Sequence, residues 1–90
     1  MHFRRERNFL KSLCKGHIQD LVEEVGWNPI QCAIVKKRYL EFKSLPVICL
    51  EVGLSESQYT RQINDICVKL VSYMTHHKSE EIARIYNNFQ

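Results

Sequence analysis

A chain of 90 residues, 44% hydrophobic and 26% charged, makes one small domain, 1–90, with the composition of a soluble globule rather than a disordered tail. Three Gly and two Pro are too few for an all-β sandwich or barrel, and the longest uncharged stretch, 11 residues over 25–35, is too short to cross a membrane. The net charge is +3, but residues 1–45 hold nine Lys/Arg against five Asp/Glu while residues 46–90 hold four against five.

The first expected helix carries Phe9, Leu10, Leu13, His17, Leu21 and Val25 at spacings of three and four, with Gly16 as a weak point and Gly26 as its stop. It opens on a basic cluster, Arg4, Arg5, Arg7, Lys11 and Lys15. Asn28-Pro29 then reads as an N-cap followed by proline at the first helical position. The helix behind it, about 29–42, is expected to bury Ile30, Ala33, Ile34 and Leu40 and to expose Lys36, Lys37 and Glu41. Lys36, Lys37, Arg38 and Lys43 form the second basic cluster. Such clusters neutralise phosphates, although a run of charge also serves simply as a solvated helix face.

A short helix follows Ser44, with Ile48, Cys49 and Val52 inward, and ends at Gly53. Ser55-Glu56-Ser57-Gln58 has the form of a capping box. Behind it Tyr59, Ile63, Ile66, Cys67, Leu70 and Met74 run down one stripe for four turns. Ser79-Glu80-Glu81 opens a last helix whose apolar face is Ile82, Ile85, Tyr86 and Phe89, with acids at the positive end of the dipole. The expected fold is all-α, a small domain of four to five helices.

The four cysteines, Cys14, Cys32, Cys49 and Cys67, are spaced 18, 17 and 18 apart with no C-x-x-C pair. No apolar run of signal-peptide length follows Met1, so a disulfide framework has little support, and reduced, mostly buried thiols in the cytoplasm are expected. Cys14-x-x-His17 and His76-His77 have zinc-type side chains, but their spacing is not that of a closed site, and no metal, cofactor or enzymatic activity is expected. Trp27, beside Asn28-Pro29, reads as a filler of the core rather than a stacking platform.

Residues 44–63, SLPVICLEVGLSESQYTRQI, carry the most information. A short helix, a three-residue turn with glycine and a longer capped helix make a helix-turn-helix, about 44–74. Gly53 takes the left-handed backbone of the turn, and Cys49, four positions earlier, is the small residue at the helix crossing. With Arg38-Tyr39-Leu40, Lys43-Ser44-Leu45, Ile48-Cys49 and Glu51-Val52-Gly53-Leu54-Ser55, residues 28–74 resemble region 4 of bacterial sigma factors and its relatives among phage transcription activators of the RinA/ArpU type. That resemblance implies binding to promoter or operator DNA in the major groove and a role in transcription.

The residues themselves point the same way. With Tyr59, Ile63, Ile66 and Leu70 inward, Ser57, Arg61 and Asn64 turn outward as candidate base readers. Ser55 and Gln58 stand at the helix start, the end that enters the groove in such motifs. Lys36, Lys37, Lys43, Arg4, Arg5 and Arg7 are the candidate phosphate contacts. The expected partner is double-stranded DNA, with RNA polymerase as a further one. Because one motif reads only a few base pairs, a homodimer on two half-sites is expected, paired through the apolar face of residues 80–89. Two rival readings use the same fold, a ring-forming small terminase subunit of phage DNA packaging and a module that binds RNA polymerase without DNA.

Overall fold

A computed structural model describes residues 3–76 and 80–89. Six helices are present among them, α1 (Arg4–Ser12), α2 (Lys15–Glu24), α3 (Pro29–Val35), α4 (Leu45–Val52), α5 (Glu56–His76) and α6 (Glu80–Asn87), and a π-helical turn, Lys36–Leu40, continues α3. The fold is the expected small all-α domain, without a strand among the described residues. None of these helices is long and apolar enough to cross a membrane.

α5 is the axis. Its 21 residues extend about 32 Å at 1.5 Å per residue, close to the 35 Å length of the molecule. The expected stripe is buried along its whole length, with Tyr73 added to it, and α1, α3, α4 and α6 pack around it. Each large side chain buried there contributes about 1.5–3 kcal/mol. The capping box also forms: the Gln58 amide N–H donates to Ser55 Oγ at 3.2 Å, and the Ser55 N–H donates to Gln58 Oε1 at 2.8 Å. Trp27 fills the core, its indole N–H donating to the Ile66 carbonyl at 3.0 Å.

The long first helix is in fact two. The break falls at Leu13 and Cys14, not at Gly16, which lies inside the first turn of α2. Leu13 is extended (ψ 149°), and the Ser12 hydroxyl donates back to the Phe9 carbonyl at 2.7 Å, closing the last turn of α1 on itself. Gly26 does end α2, in the left-handed region at φ 86°.

α3 begins at Asn28 as expected, but its buried face is rotated. Ile30 is 46% exposed, whereas Gln31 is 1% exposed. Asn28 Oδ1 accepts from the Gln31 N–H at 2.8 Å, and Gln31 Oε1 accepts from the Asn28 N–H at 3.1 Å. The same amide reaches α5: its Nε2 donates to Gln62 Oε1 at 3.0 Å and to Asp65 Oδ2, and its Oε1 accepts from Lys69 Nζ at 2.8 Å. A polar side chain thus takes the place expected of an isoleucine, because all of its hydrogen-bonding groups are satisfied. The π turn then widens the spiral, with the Glu41 N–H donating to the Lys36 carbonyl at 3.0 Å, and buries Tyr39 while Leu40 stays half-exposed.

α4, the turn at 53–55 and α5 have the connectivity expected of a helix-turn-helix. Gly53 stands at φ 73°, and a side chain there would strain the backbone rather than meet a neighbour. Cys49 is buried at the crossing. α6 departs most from expectation. Ile82 is buried, Ile85, Tyr86 and Phe89 are partly buried on the core, and Phe9 of α1 meets Tyr86 and Phe89 edge-on at 5.0 and 5.7 Å. The aromatic face assigned to pairing two copies is packed within the chain. Ser79, read as the start of this helix, lies outside the described residues.

Replacing Gln31 with alanine removes half of the α3 capping box and all the links to α5. The expected loss is about 2–3 kcal/mol against about 1 kcal/mol for Asn28→Ala, measured by urea unfolding; equal losses would mean that the links across to α5 contribute nothing. Asp65 gives a pH dependence. The Gln31 amide, and then Lys69, hold its carboxyl below the ordinary carboxylate range. Its stabilising contribution is therefore complete above the unfolded value of about 3.9 and is lost as pH falls through the lower folded value. Asp65→Asn should flatten that part of the acid limb in thermal melts taken between neutral pH and the acid transition.

Candidate nucleic-acid interface

The four polar residues Arg4, Arg7, Asn8 and Lys11 recur at i, i+3, i+4 and i+7 and so share one face of α1. That face looks into a cleft of about 280 Å³ whose other walls are Arg38 and Tyr39 of the π turn, Leu45 of α4, and Tyr59, Thr60, Ile63 and Asn64 of α5. Four of its lining residues are cations and none is a carboxylate. Among the described residues, none of these four cations forms an ion pair. Arg38 is held by its Nη1, which donates to the Lys43 carbonyl at 3.2 Å. Arg7 is half-buried, and its Nε is shut off from solvent without a hydrogen-bond partner. Burial raises the pKa of both Tyr39 and Tyr59, so the phenols stay neutral and add no negative charge to the cleft.

The outer face of α5 adjoins this cleft. At 100° per residue, Ser57, Thr60, Arg61 and Asn64 fall within an arc of about 100°. Ser57 and Arg61 are exposed, and Asn64 is half-buried at the cleft edge. The hydroxyls of this first turn are partly committed: the Ser57 and Ser55 oxygens share a hydrogen bond at 3.3 Å, and Thr60 Oγ1 donates to the Glu56 carbonyl at 3.0 Å. Ser55 and Gln58 serve the capping box, as expected. Asp65, an acid that would repel a phosphate, is engaged by Gln31 and by Lys69 at 3.3 Å.

Of the candidate phosphate contacts, Arg4 and Arg7 are brought together with Asn64, whereas Arg5 is not. Arg5 lies on the other side of α1, where its guanidinium donates to the Tyr86 and Phe89 carbonyls at 3.1 Å each and stacks over the Tyr86 ring at 4.4 Å. It caps α6. The second basic cluster is also divided. Lys37 and Lys43 both pair with Glu51 at 2.9 Å, and Lys43 pairs with Glu41 at 3.1 Å. Hydrogen bonds from the two lysines hold the Glu51 carboxyl below its ordinary range, and the same contacts raise Lys43. Lys36 is exposed and lies outside the cleft lining. Asn8, Lys11, Arg38 and Thr60 belong to the cleft but were not among the expected contacts. The spacing 4, 7, 11 along α1 was a legible signal for Lys11; the turn that aims Arg38 was not.

Other chemistry has less to work with. His17 pairs with Glu81 at 3.0 Å and ties α2 to α6, and His77 lies outside the described residues. Among the described residues, no group of three or more His, Cys, Asp and Glu is arranged to hold a metal ion. All four cysteines are free, with Cys49 and Cys67 buried, Cys32 half-buried and Cys14 exposed. Burial pushes the Cys67 thiol up to about 12, which leaves it inert as a nucleophile. Comparison with known protein families, with curated proteins and with solved structures finds no match to this chain.

Proposed function

We propose that the protein is a sequence-specific DNA-binding regulator of transcription that presents the N-terminal half of α5 to the major groove. One observation carries the reading: the polar outer face of α5 is bordered by a cleft with four cations and no carboxylate. A duplex offers a base edge and a phosphate backbone side by side, and this surface has a group for each. Arg61 forks onto guanine O6 and N7, Asn64 reads adenine, and Ser57 contributes from the first turn. Arg4, Arg7, Lys11 and Arg38 take the backbone, ahead of the lysines that Glu51 neutralises. The resemblance of residues 28–74 to sigma factor region 4 supports the same orientation. Reading a full site takes two copies on half-sites about one helical turn apart. With Tyr86 and Phe89 packed on Phe9, the DNA itself would hold those copies in register.

Selection of bound duplexes from a random pool, followed by footprinting, tests the reading. Equal affinity for selected and random DNA at two salt concentrations would remove the sequence-specific function. Within it, Arg61→Ala should cost about 1–3 kcal/mol on the best site and relax preference at one position, with the melting temperature unchanged because the residue is exposed. Glu51→Gln should act in the opposite direction. Freed Lys37, with Lys43 left to Glu41 alone, would steepen the dependence of binding on salt by about 0.9 for each phosphate gained, for all sequences alike; an unaltered slope would place Lys37 away from the backbone.

A further inference from the structure

We infer that the cleft between α1 and α5 is a seat for a single phosphate group, with Arg7 and Arg38 as its principal ligands. The inference stands on the cleft itself and does not need α5 to read bases. Among the described residues its cations form no ion pair, and three acids of the neighbouring elements have partners of their own. Glu6 accepts from the Tyr86 hydroxyl, Glu51 holds two lysines, and Asp65 is tied to Gln31 and Lys69. A half-buried guanidinium with no counter-charge is costly in a low-dielectric wall, and an anion in the cleft relieves that cost. The guanidinium fork matches phosphate oxygens in a way that an ammonium does not.

Size and position narrow the ligand. A volume of about 280 Å³ lies at the small end of ligand pockets and has room for a phosphate with part of its sugar. Arg38 is aimed there by a π turn, a departure from regular helix that recurs at functional sites, and is locked by the Lys43 carbonyl. The shared chemistry is a phosphate ester oxygen, supplied either by a duplex backbone or by a free phosphate monoester.

The test titrates the full chain, labelled with nitrogen-15, separately with inorganic phosphate, adenosine monophosphate and a DNA duplex, alongside Arg7→Gln, Arg38→Gln and the control Lys36→Gln. Saturable shifts confined to residues around Arg7, Arg38 and Tyr39 are expected with phosphate, with affinity about tenfold weaker or worse in the two arginine variants and unchanged in the control. With the duplex, each arginine variant should lower the salt slope by about 0.9 on selected and random DNA alike, which assigns the seat to the backbone. Phosphate binding that depends on Arg7, with an unaltered DNA slope, assigns it to a free monoester. If Arg7→Gln does not fold, Arg4→Gln at an exposed position carries the same comparison. Shifts spread equally over Lys36 and Arg61, or no saturable shift together with an unaltered slope, overturn the seat. Phosphate bound at the cleft by a protein that ignores duplex DNA overturns the DNA-binding function and leaves the seat standing.

Discussion

The amide of Gln31 is the constraint on which the rest of the arrangement hangs. It is the one polar side chain buried in the core among the described residues, and each of its four hydrogen-bonding capacities is used. Two of those bonds go to Gln62 and Asp65 on α5 and one comes from Lys69 on the same helix, while the fourth comes from the backbone that starts α3. A slip of α3 along α5 by one residue would leave these groups unpaired, so the register of the two helices is set by hydrogen bonding where apolar packing alone would tolerate sliding. The π turn grows directly from α3, and Arg38 and Tyr39 inherit that register. The cleft therefore has its shape because a buried glutamine fixes where one wall begins.

Charge is sorted as strictly as polarity. Among the described residues no acid lines the cleft on the face of α1 that carries Arg4, Arg7 and Lys11, while its other side places Arg5 and Glu6 against Tyr86 of α6. Glu51 gathers Lys37 and Lys43. The result is a molecule of modest net charge in which Arg4, Arg7, Lys11 and Arg38, unpaired among the described residues, gather at one cleft. Phe42, which follows the π turn, holds a left-handed backbone at φ 57° with its ring 68% exposed, a conformation costing on the order of 1–2 kcal/mol for a residue with a Cβ. The buried stripe of α5 supplies stability from which such a cost can be drawn.

Where local pattern decides structure, the sequence was readable. The stripe of α5, the Ser55 and Gln58 box, the Asn28 cap and the left-handed Gly53 all depend on residues within a turn or two of one another. The failures share a different origin. Apolar periodicity turns Ile30 inward and passes over Gln31, because it does not see a glutamine whose partners are 31, 34 and 38 positions away. Gly16 was the expected weak point, yet the break came from a serine bonding its own helix at 12 and an extended residue at 13. Lysines counted as free cations were neutralised by Glu51, since a pair 14 residues apart leaves no trace in a net-charge tally. The base-reading candidates Ser57, Arg61 and Asn64 emerged on one face because a helical wheel suffices to place them; the composition of the neighbouring cleft needed three other elements.

Arg5 and the Phe9–Tyr86 contact give α1 a second role. One side of this nine-residue helix lines the cation cleft and the other is clasped by the end of α6 through two carbonyl bonds, a cation over a ring and two edge-on aromatic contacts. A helix this short is marginal without such tertiary support. An anion seated in the cleft as proposed and the docking of α6 would act on the same short helix, so each would support the other by the same free energy. Proteolytic trimming at one end of the chain would accordingly register as lost affinity at a surface that the removed residues never touch.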